Sequence, residues 1–380
     1  MGIHYDSGRI RLQEGISMNK FFPEIKKNFG FGCMRLPMNG DEIDTAALCA
    51  MVDKFIADGF NYFDTARPYH GGMSEKVLKT CLAERHDRSE FLLANKLSFT
   101  CFETEADVRP LIEDQLATCG VEYFDFYLIH ANNATRHQKY TQCRCYDIAQ
   151  EMKAEGKLRH VGMSFHDSAE VLDKILTEHP ELEFVQLQFN YADYNDPKVQ
   201  SRLCYEVCRK HGKPVMVMEP VKGGTLVNLP KEALALLPAG SPASYAIRYA
   251  ASFEGITMVL SGMSNMAQME DNLSYMADFQ PLSQQEHEII DKVRTLYQAQ
   301  HKIPCTACRY CVDGCPAGIP IPEIFALQNA KLGGEEFDAS AYGKFPATIT
   351  DCVDCGQCEG QCPQNLQIRD LLREVHKVFG

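Results

Sequence analysis

Between residues 29 and 264 the chain repeats one pattern eight times, a short apolar run followed by an amphipathic stretch, at roughly 30-residue spacing. The runs are FGFGCM, NYFDTA, FLLANK, DFYLIH, HVGMSF, FVQLQFN, PVMVME and ITMVLSG. Between them, sets such as Leu48, Val52, Phe55 and Ile56, or Val77, Leu78, Cys81 and Leu82, place apolar side chains on one helical face. Repeated strand-helix units build a parallel sheet. Eight of them in this length predict an α/β fold whose sheet closes on itself, a (β/α)8 TIM barrel, rather than an open doubly wound sheet. No GxGxxG run follows any of the strands, which agrees with a barrel. Such a barrel also sorts the polar residues, because functional side chains come from the C-terminal ends of its strands and the loops after them.

The repeat stops after PLSQQEHEIIDKV, and Pro304 introduces a different kind of sequence. Residues 1–28 are read as an N-terminal extension and barrel-capping segment, 29–282 as the barrel and 283–380 as a small second domain. That domain holds CTACRYCVDGCP at 305–316 and CVDCGQCEGQCP at 352–363. Both have the form CxxCxxCxxxCP, the ligand spacing of bacterial-type [4Fe–4S] sites. Three thiolates so spaced reach three corners of one cuboidal cluster, while the fourth, followed by proline, serves the neighbouring cluster. That exchange assigns Cys305, Cys308, Cys311 and Cys362 to one cluster, and Cys352, Cys355, Cys358 and Cys315 to the other. The alternatives are zinc and disulfides, but structural zinc takes four ligands, commonly as paired CxxC knuckles, and two such runs exceed its needs. IPIPEIFALQNAKLG and NLQIRDLLREVHKVF read as helices, the second with Leu366, Leu371, Leu372 and Val375 on one side. The small domain is therefore expected to be mostly helical and ferredoxin-like, carrying two [4Fe–4S] clusters.

Acidic residues outnumber basic ones 51 to 38, a net charge of −13, and no Lys/Arg block stands out. Nucleic acid and anionic membrane surfaces are accordingly not expected as partners. No apolar run approaches the roughly 18 residues of a membrane helix. The opening MGIHYDSGRIRLQEGIS carries charges where an export signal needs an apolar stretch, and Met18 offers a second start that would make the preceding residues an extension. Nine of the 17 cysteines lie outside the two runs, from Cys33 to Cys208, and read as small buried hydrophobes. This usage fits a reducing cytoplasm rather than a secreted disulfide framework.

Four residues fall at the ends of predicted strands or just beyond: Asp64 in YFDTA, Tyr69 in RPYHGG, Lys96 in LANKLS and His130 in YLIHANN. Taken singly, Asp64 reads as a helix cap, Lys96 as a surface charge and His130 as a satisfied core histidine. Gathered at one barrel mouth they make an acid-base set. A tyrosine hydroxyl, with an ordinary pKa of about 10, is a poor donor at neutral pH, and a nearby ammonium lowers that value by stabilising the phenolate. The aspartate holds the lysine in place, and the histidine can bind and orient a substrate oxygen. Reduction of a carbonyl needs this equipment, because the developing alkoxide needs a proton.

Taken in order, FGFGCMRLP, FDTARPYHGGMSEKVL, NKL, FDFYLIH, HVGMS, VQLQFN and GMSNMAQMEDNL resemble the landmarks of the aldo/keto reductase superfamily across the whole barrel region. With the paired cysteine runs behind it, the chain is similar to the iron–sulfur-fused branch found among predicted oxidoreductases of bacteria and archaea. The resemblance implies Tyr69 as proton donor, Lys96 and Asp64 as the pair that lowers its pKa, and His130 as the group that orients the carbonyl. It also implies a nicotinamide cofactor, NAD(P)H, across the mouth. Gly32 and Met34 then belong to its site, Ser164 and Gln186 hold the carboxamide, and Gly223 and Gly224 lie near the pyrophosphate. Gln268, Asp271 and Asn272 match the adenosine end. Three positions depart from the family pattern: Phe165 stands where Asn is frequent, Met218 where an aromatic ring usually stacks on the nicotinamide, and Ser264 where Arg or Lys commonly grips a 2′-phosphate.

Three functional readings follow. In the first, an oxidoreductase reduces a carbonyl or other polarised double bond of a small molecule, while the clusters exchange electrons with a one-electron donor or acceptor protein. Hydride carries electrons in pairs and clusters pass them singly, so this reading calls for a converter, most simply a flavin, FMN or FAD. In the second, an NAD(P)H-dependent carbonyl reductase carries structural or redox-sensing clusters. In the third, the chain is a non-enzymatic electron carrier or binding module, against which the full tetrad speaks. The substrate is set by the loops after the strands, chiefly 131–147 and the stretch from Met34 to Met38. ANNATRHQKYTQCRCYD is thus expected to be a loop on the catalytic face, with Cys143 and Cys145 as filler rather than a redox pair.

Overall fold

Eight parallel strands close into a barrel in chain order: β1 (Phe29–Gly32), β2 (Tyr62–Asp64), β3 (Leu92–Leu97), β4 (Phe124–Asn132), β5 (Leu158–Phe165), β6 (Val185–Gln188), β7 (Val215–Met218) and β8 (Ile256–Ser261). All eight coincide with the apolar runs of the sequence, in a computed structural model that describes residues 20–238 and 240–380. The N-terminal stretch and its Met18 lie outside the described residues. Strand register brings the polar residues to one end: Gly32 pairs with Asp64, Asp64 with Ala94, Ser164 with Gln186, and Gln188 with Met218.

The opposite end of the barrel is plugged. Phe22 meets Phe126 edge to face at 5.1 Å and Phe184 at 5.9 Å, and with Ile25 it joins Tyr62, Leu92, Met216 and Met258 in an interior cluster. Outside the strands, helices close the main core. Thr45–Ala57 shows why they form: Asp44 Oδ1 accepts from the Ala47 N–H at 2.9 Å, satisfying a donor at the helix start. Its Leu48, Met51, Val52 and Phe55 lie on one face and are buried, each contributing on the order of 2 kcal/mol. Among the described residues no helix is long and apolar enough to cross a membrane.

A second core, around Ile321, Ile324, Phe325, Leu366, Ile368 and Leu372, holds the C-terminal region together. It is mostly helical, with Ile321–Leu332 packed on Ile368–Phe379.

Three expectations need correcting. The helix Gln284–Gln298 was read with the small domain, yet it buries Ile290 and Val293 in the barrel's core and carries an Arg248–Glu286 ion pair at 2.8 Å. The second core begins only at Ile303. Residues 131–147 are not an open loop: β4 runs to Asn132, Asn133 caps the helix Ala134–Gln142 by accepting from the Arg136 N–H, and a second helix, Cys145–Ala154, follows. Cys143 and Cys145 are buried and unbridged. Cys49 and Cys81, read as lone hydrophobes, form a disulfide. Their helices pack so that the Cα atoms lie 4.6 Å apart, within bridging reach.

Candidate active site and cysteine loops

Asp64 ends β2, and Lys96 sits one strand away with its ammonium pointing at it. Lys96 Nζ donates to Asp64 Oδ1 at 2.5 Å, to the Thr65 carbonyl at 2.8 Å and to Tyr69 Oη at 3.2 Å, in a site that leaves Lys96 no exposure. Tyr69 reaches this point because the chain turns sharply after it. His70, Gly71 and Gly72 all have positive φ, at 51°, 61° and 88°, before the helix Met73–Leu78 begins. The two glycines take left-handed geometry at little steric cost.

His130 lies beside Tyr69, their rings edge to face at 6.2 Å. Its Nδ1 is engaged by the Ser98 hydroxyl at 2.5 Å, which fixes the ring and leaves Nε2 for the cavity. Burial, with Lys96 and Arg136 adding to it, holds His130 well below its ordinary pKa, so the imidazole is neutral.

The expected lowering of Tyr69 by Lys96 does not prevail. Burial, then the Asp64 carboxylate, push the Tyr69 hydroxyl well above its ordinary value. The physical reason is that burial disfavours the charged phenolate and the Asp64 carboxylate repels it further. Burial likewise lowers Lys96, outweighing the attraction of Asp64. Tyr69 is thus held protonated, with an ammonium within hydrogen-bond distance to receive the phenolate charge once the proton leaves.

Above these residues opens a cavity of about 610 Å³. Asp64, Tyr69 and His130 line its floor, with Lys96 beneath. Gly32, Met34, Ser164, Gln186 and Met218 line it too, as do Gly223, Gly224, Ser264, Gln268, Asp271 and Asn272. Several of these groups are already engaged. Ser164 Oγ accepts from the Ala131 N–H at 2.7 Å, and Gln268 Oε1 from the Ser264 N–H at 2.8 Å. Asp271 accepts from the Ser241 hydroxyl at 2.7 Å, and Asn272 donates to Ser261 Oγ at 2.9 Å.

The sequence reading missed the residues that the small domain and the strand ends add. Glu219, directly after β7, lines the cavity with a strained φ of 57°, and burial raises its carboxyl. The strand-end rule that found Asp64 would also have found it. Arg35, Cys308, Tyr310 and Gln364 line the cavity as well. The last three come from the small domain, and nothing in their local sequence pattern points at the barrel.

Specific contacts seat that domain. Arg35 Nη2 donates to the Thr306 carbonyl at 2.5 Å, and Arg136 to the Gly360 carbonyl at 3.3 Å and Gln361 Oε1 at 3.1 Å. Gln188 and Gln364 exchange amide hydrogen bonds of 3.0 and 2.8 Å. Gly223, implied by the resemblance to lie near a pyrophosphate, abuts Thr306, where an added Cβ would come 2.6 Å from the Thr306 carbonyl oxygen.

The cysteines gather in two sets. Cys305, Cys308, Cys311 and Cys362 surround one apolar pocket with Ile321 and Phe325, and Cys315, Cys352, Cys355 and Cys358 another with Ile319 and Leu372. The two loops repeat their backbone. Ala307 and Arg309 in one, Asp354 and Gly356 in the other, have positive φ, and the Ala307 and Asp354 N–H groups each point to a cysteine sulfur at 3.4 Å. Four cysteines around each pocket, apolar walls and an N–H directed at a cysteine sulfur in each loop fit four-thiolate iron–sulfur binding.

The sequence pattern of the aldo/keto reductase family matches residues 28–295, most of the chain. The chain belongs to the aldo/keto reductase family. In this aldo/keto reductase, residues 304–366 also match the pattern of a 4Fe-4S dicluster domain. The protein is therefore an oxidoreductase whose barrel is joined to an iron–sulfur domain. It is 26% identical over 294 residues to L-galactose dehydrogenase of Arabidopsis thaliana, covering 71% of this chain and 90% of that one. Among solved structures it resembles an aldo-keto reductase from Bacillus halodurans in its holo form, with 23% identity and a TM-score of 0.59, covering 70% of this chain and 91% of that one. An aldo-keto reductase from Klebsiella pneumoniae in complex with NADPH gives 18% identity and a TM-score of 0.58, covering 70% and 90%. These two likenesses show the barrel fold.

Proposed function

We propose that this aldo/keto reductase reduces a carbonyl or another polarised double bond at its barrel mouth and exchanges electrons with a one-electron partner through two [4Fe–4S] clusters in its small domain. One observation carries the reading: a single cavity is lined both by Tyr69 and His130 and by the cluster-loop residue Cys308. When bound, the clusters supply single-electron transfer, and a flavin or nicotinamide in the cavity supplies reducing equivalents in pairs.

The chain's own residues then do the following. Neutral His130 donates from Nε2 to the substrate oxygen and orients it. As reduction at carbon leaves charge on that oxygen, Tyr69 donates its proton, and Lys96, 3.2 Å away, stabilises the phenolate that remains. Asp64 keeps Lys96 aimed.

The lining of the cavity favours a flavin, or a nucleotide without a 2′-phosphate, over NADPH. Among its described lining residues Arg35 is the only Lys or Arg, and its guanidinium is engaged by Thr306. Ser264 offers a hydroxyl where a phosphate would call for a guanidinium, and that hydroxyl donates to the Arg35 carbonyl at 3.2 Å.

The test is anaerobic purification with full iron content, followed by extraction of bound nucleotide. Flavin released in proportion to protein supports the relay. No flavin, together with NAD(P)H turnover that survives serine at Cys305 and Cys352, reassigns the clusters to a structural or sensing role. Tyr69→Phe should lower turnover by roughly 10²- to 10⁴-fold with cofactor binding nearly unchanged; unaltered turnover removes Tyr69 from the chemistry.

A further inference from the structure

His130 stands on an irregular stretch of its strand. β4 keeps register with β5 up to Ile129 opposite Met163 and resumes at Asn132 opposite Phe165, so three steps on β4 face two on β5. This is a bulge, a device that re-aims a side chain beside a site. Ala131, next to His130, takes a φ of 48°, which crowds any residue with a Cβ. Such a turn lasts only where its surroundings hold it. Three side chains hold its backbone groups. The Tyr140 hydroxyl donates to the His130 carbonyl at 2.7 Å, Ser164 Oγ accepts from the Ala131 N–H at 2.7 Å, and Arg136 Nη1 donates to the Ala131 carbonyl at 2.8 Å.

Tyr140 and Ser164 act within the barrel, but Arg136 reaches beyond it. Its Nη2 donates to the Gly360 carbonyl at 3.3 Å and to Gln361 Oε1 at 3.1 Å, both in the second cysteine run. Its guanidinium carbon lies 4.4 Å from the centre of the Phe99 ring, so the fork is packed as well as hydrogen-bonded. Arg136 is buried and forms no ion pair among the described residues, although a buried charge is ordinarily paired. Oxygens from the barrel and from the small domain take the place of a carboxylate. That arrangement calls for a planar group with donors on two arms, which an ammonium at the end of a flexible stem does not provide.

We propose that Arg136 is a positioning residue of the active site: it ties the bulge that aims His130 to the second cysteine run, so that the carbonyl-orienting group is held in place only while the small domain is seated. Seating and aiming are then one equilibrium. Whatever loosens the small domain at Gly360 and Gln361 loosens the bulge, and by linkage whatever loosens the bulge loosens the domain. A substrate oxygen meets an aimed imidazole only where the cysteine loops are in place.

The inference rests on the orienting role of His130 proposed above, so its deciding test needs no reaction. Hydrogen exchange read by mass spectrometry on full-length, iron-loaded protein follows peptides covering 128–134 in the barrel and 356–362 in the small domain. Gln361→Ala alters only the small-domain side, and should speed exchange at 128–134. Ser164→Ala alters only the barrel side, and should speed exchange at 356–362. Each cross effect should be roughly 5- to 150-fold, the usual size of coupling between two sites. In an Arg136→Met background both cross effects should vanish while each local effect stays. Arg136→Lys keeps the charge but not the two-armed fork, so it should uncouple the two regions as well, and it carries the test if methionine prevents folding. Exchange that stays local in both single variants overturns the inference, and so does cross-talk that persists without Arg136.

A turnover cycle separates this inference from the reading beneath it. With NADH and 4-nitrobenzaldehyde as probe substrate, Arg136→Lys should lower kcat by about tenfold beside wild-type His130, and should add no further loss in His130→Gln. Equal losses in the two backgrounds would overturn the positioning role, because a general structural defect costs the same in both. Wild-type turnover in His130→Gln would instead strike the orienting role of His130, with the exchange experiment still deciding whether Arg136 couples the two regions.

Discussion

At Gly223 the barrel backbone comes close to the cysteine-loop residue Thr306, and Gly223→Ala tests whether that contact seats the loop. The residue has φ of 64°, and an added Cβ would lie 2.6 Å from the Thr306 carbonyl oxygen, 2.7 Å from its Cα and 2.8 Å from its Cβ. Two of these atoms are backbone, so no side-chain rotation relieves the overlap. The left-handed backbone costs an alanine about 1 kcal/mol, and the overlap adds roughly 1–3 kcal/mol. Gly224 is the built-in control. Its φ is 92°, yet nothing lies within 4 Å of the Cβ it lacks, so Gly224→Ala should carry the backbone cost alone.

The difference of roughly 1–3 kcal/mol between the two variants corresponds to about a 5- to 150-fold larger population in which the first cysteine loop has left the mouth. Hydrogen exchange read by mass spectrometry resolves this. Peptides covering 300–312 should exchange faster in Gly223→Ala than in Gly224→Ala by that factor, with peptides of β3 to β5 unchanged in both. Equal exchange in the two variants would refute the reasoning, because it would mean that Thr306 does not depend on the missing side chain.

The ion pair under the site should behave as a buried pair. Asp64→Leu leaves the Lys96 ammonium without its partner at 2.5 Å and should cost about 3–5 kcal/mol in urea unfolding, while Asp64→Leu with Lys96→Met should recover much of that loss; a double variant as unstable as the single one would count against it. On the opposite face, burial alone would raise Glu183, but hydrogen bonds from His160, Lys153 and the Val161 N–H outweigh it and hold the carboxyl at about 2, below its ordinary 4.5. A depressed carboxyl stabilises above its unfolded value and loses that contribution as pH falls. The advantage of wild type over Glu183→Gln, up to about 3 kcal/mol at neutral pH, should therefore be more than half lost by pH 3, and an advantage constant from pH 7 to 3 would contradict it. The exchange of fourth ligands predicts that Cys362→Ser and Cys305→Ser abolish the same EPR signal, and that Cys315→Ser abolishes the one lost in Cys352→Ser; pairing of Cys315 with Cys305 instead would break the assignment.

How far the sequence reached depended on whether a signal was local. Each barrel strand is a run such as FLLANK or DFYLIH whose side chains are buried on both faces, so hydrophobicity alone marked it. Asp64, Tyr69, Lys96 and His130 were found because strand ends meet at one mouth in any such barrel. The failures share a cause. Gln284–Gln298 follows the last strand and belongs to the barrel only because Ile290 and Val293 find its core, a fact of packing. The helix Ala134–Gln142 hid because its start depends on the Asn133 side chain, and its buried face is made by Arg136, His137 and Tyr140, residues that read as polar loop.

The behaviour of Tyr69 was missed for a subtler reason. Reasoning from Lys96 alone predicts a lowered hydroxyl, yet burial raises it and the Asp64 carboxylate adds to that rise. A protonated phenol is the form that can donate, so the correction strengthens the case for Tyr69 as an acid and moves the question to what stabilises the phenolate afterwards. Lys96 supplies one donor. Tyr310, which lines the same cavity, lies 241 positions from Tyr69 in the sequence, inside a run whose cysteines fall three or four residues apart and make the tyrosine look like filler. Only docking of the second core on the first reveals it. The spacing of the run answers to the chemistry of sulfur and iron, but the residues between its cysteines answer to the surface they are pressed against, and here that surface is the barrel mouth.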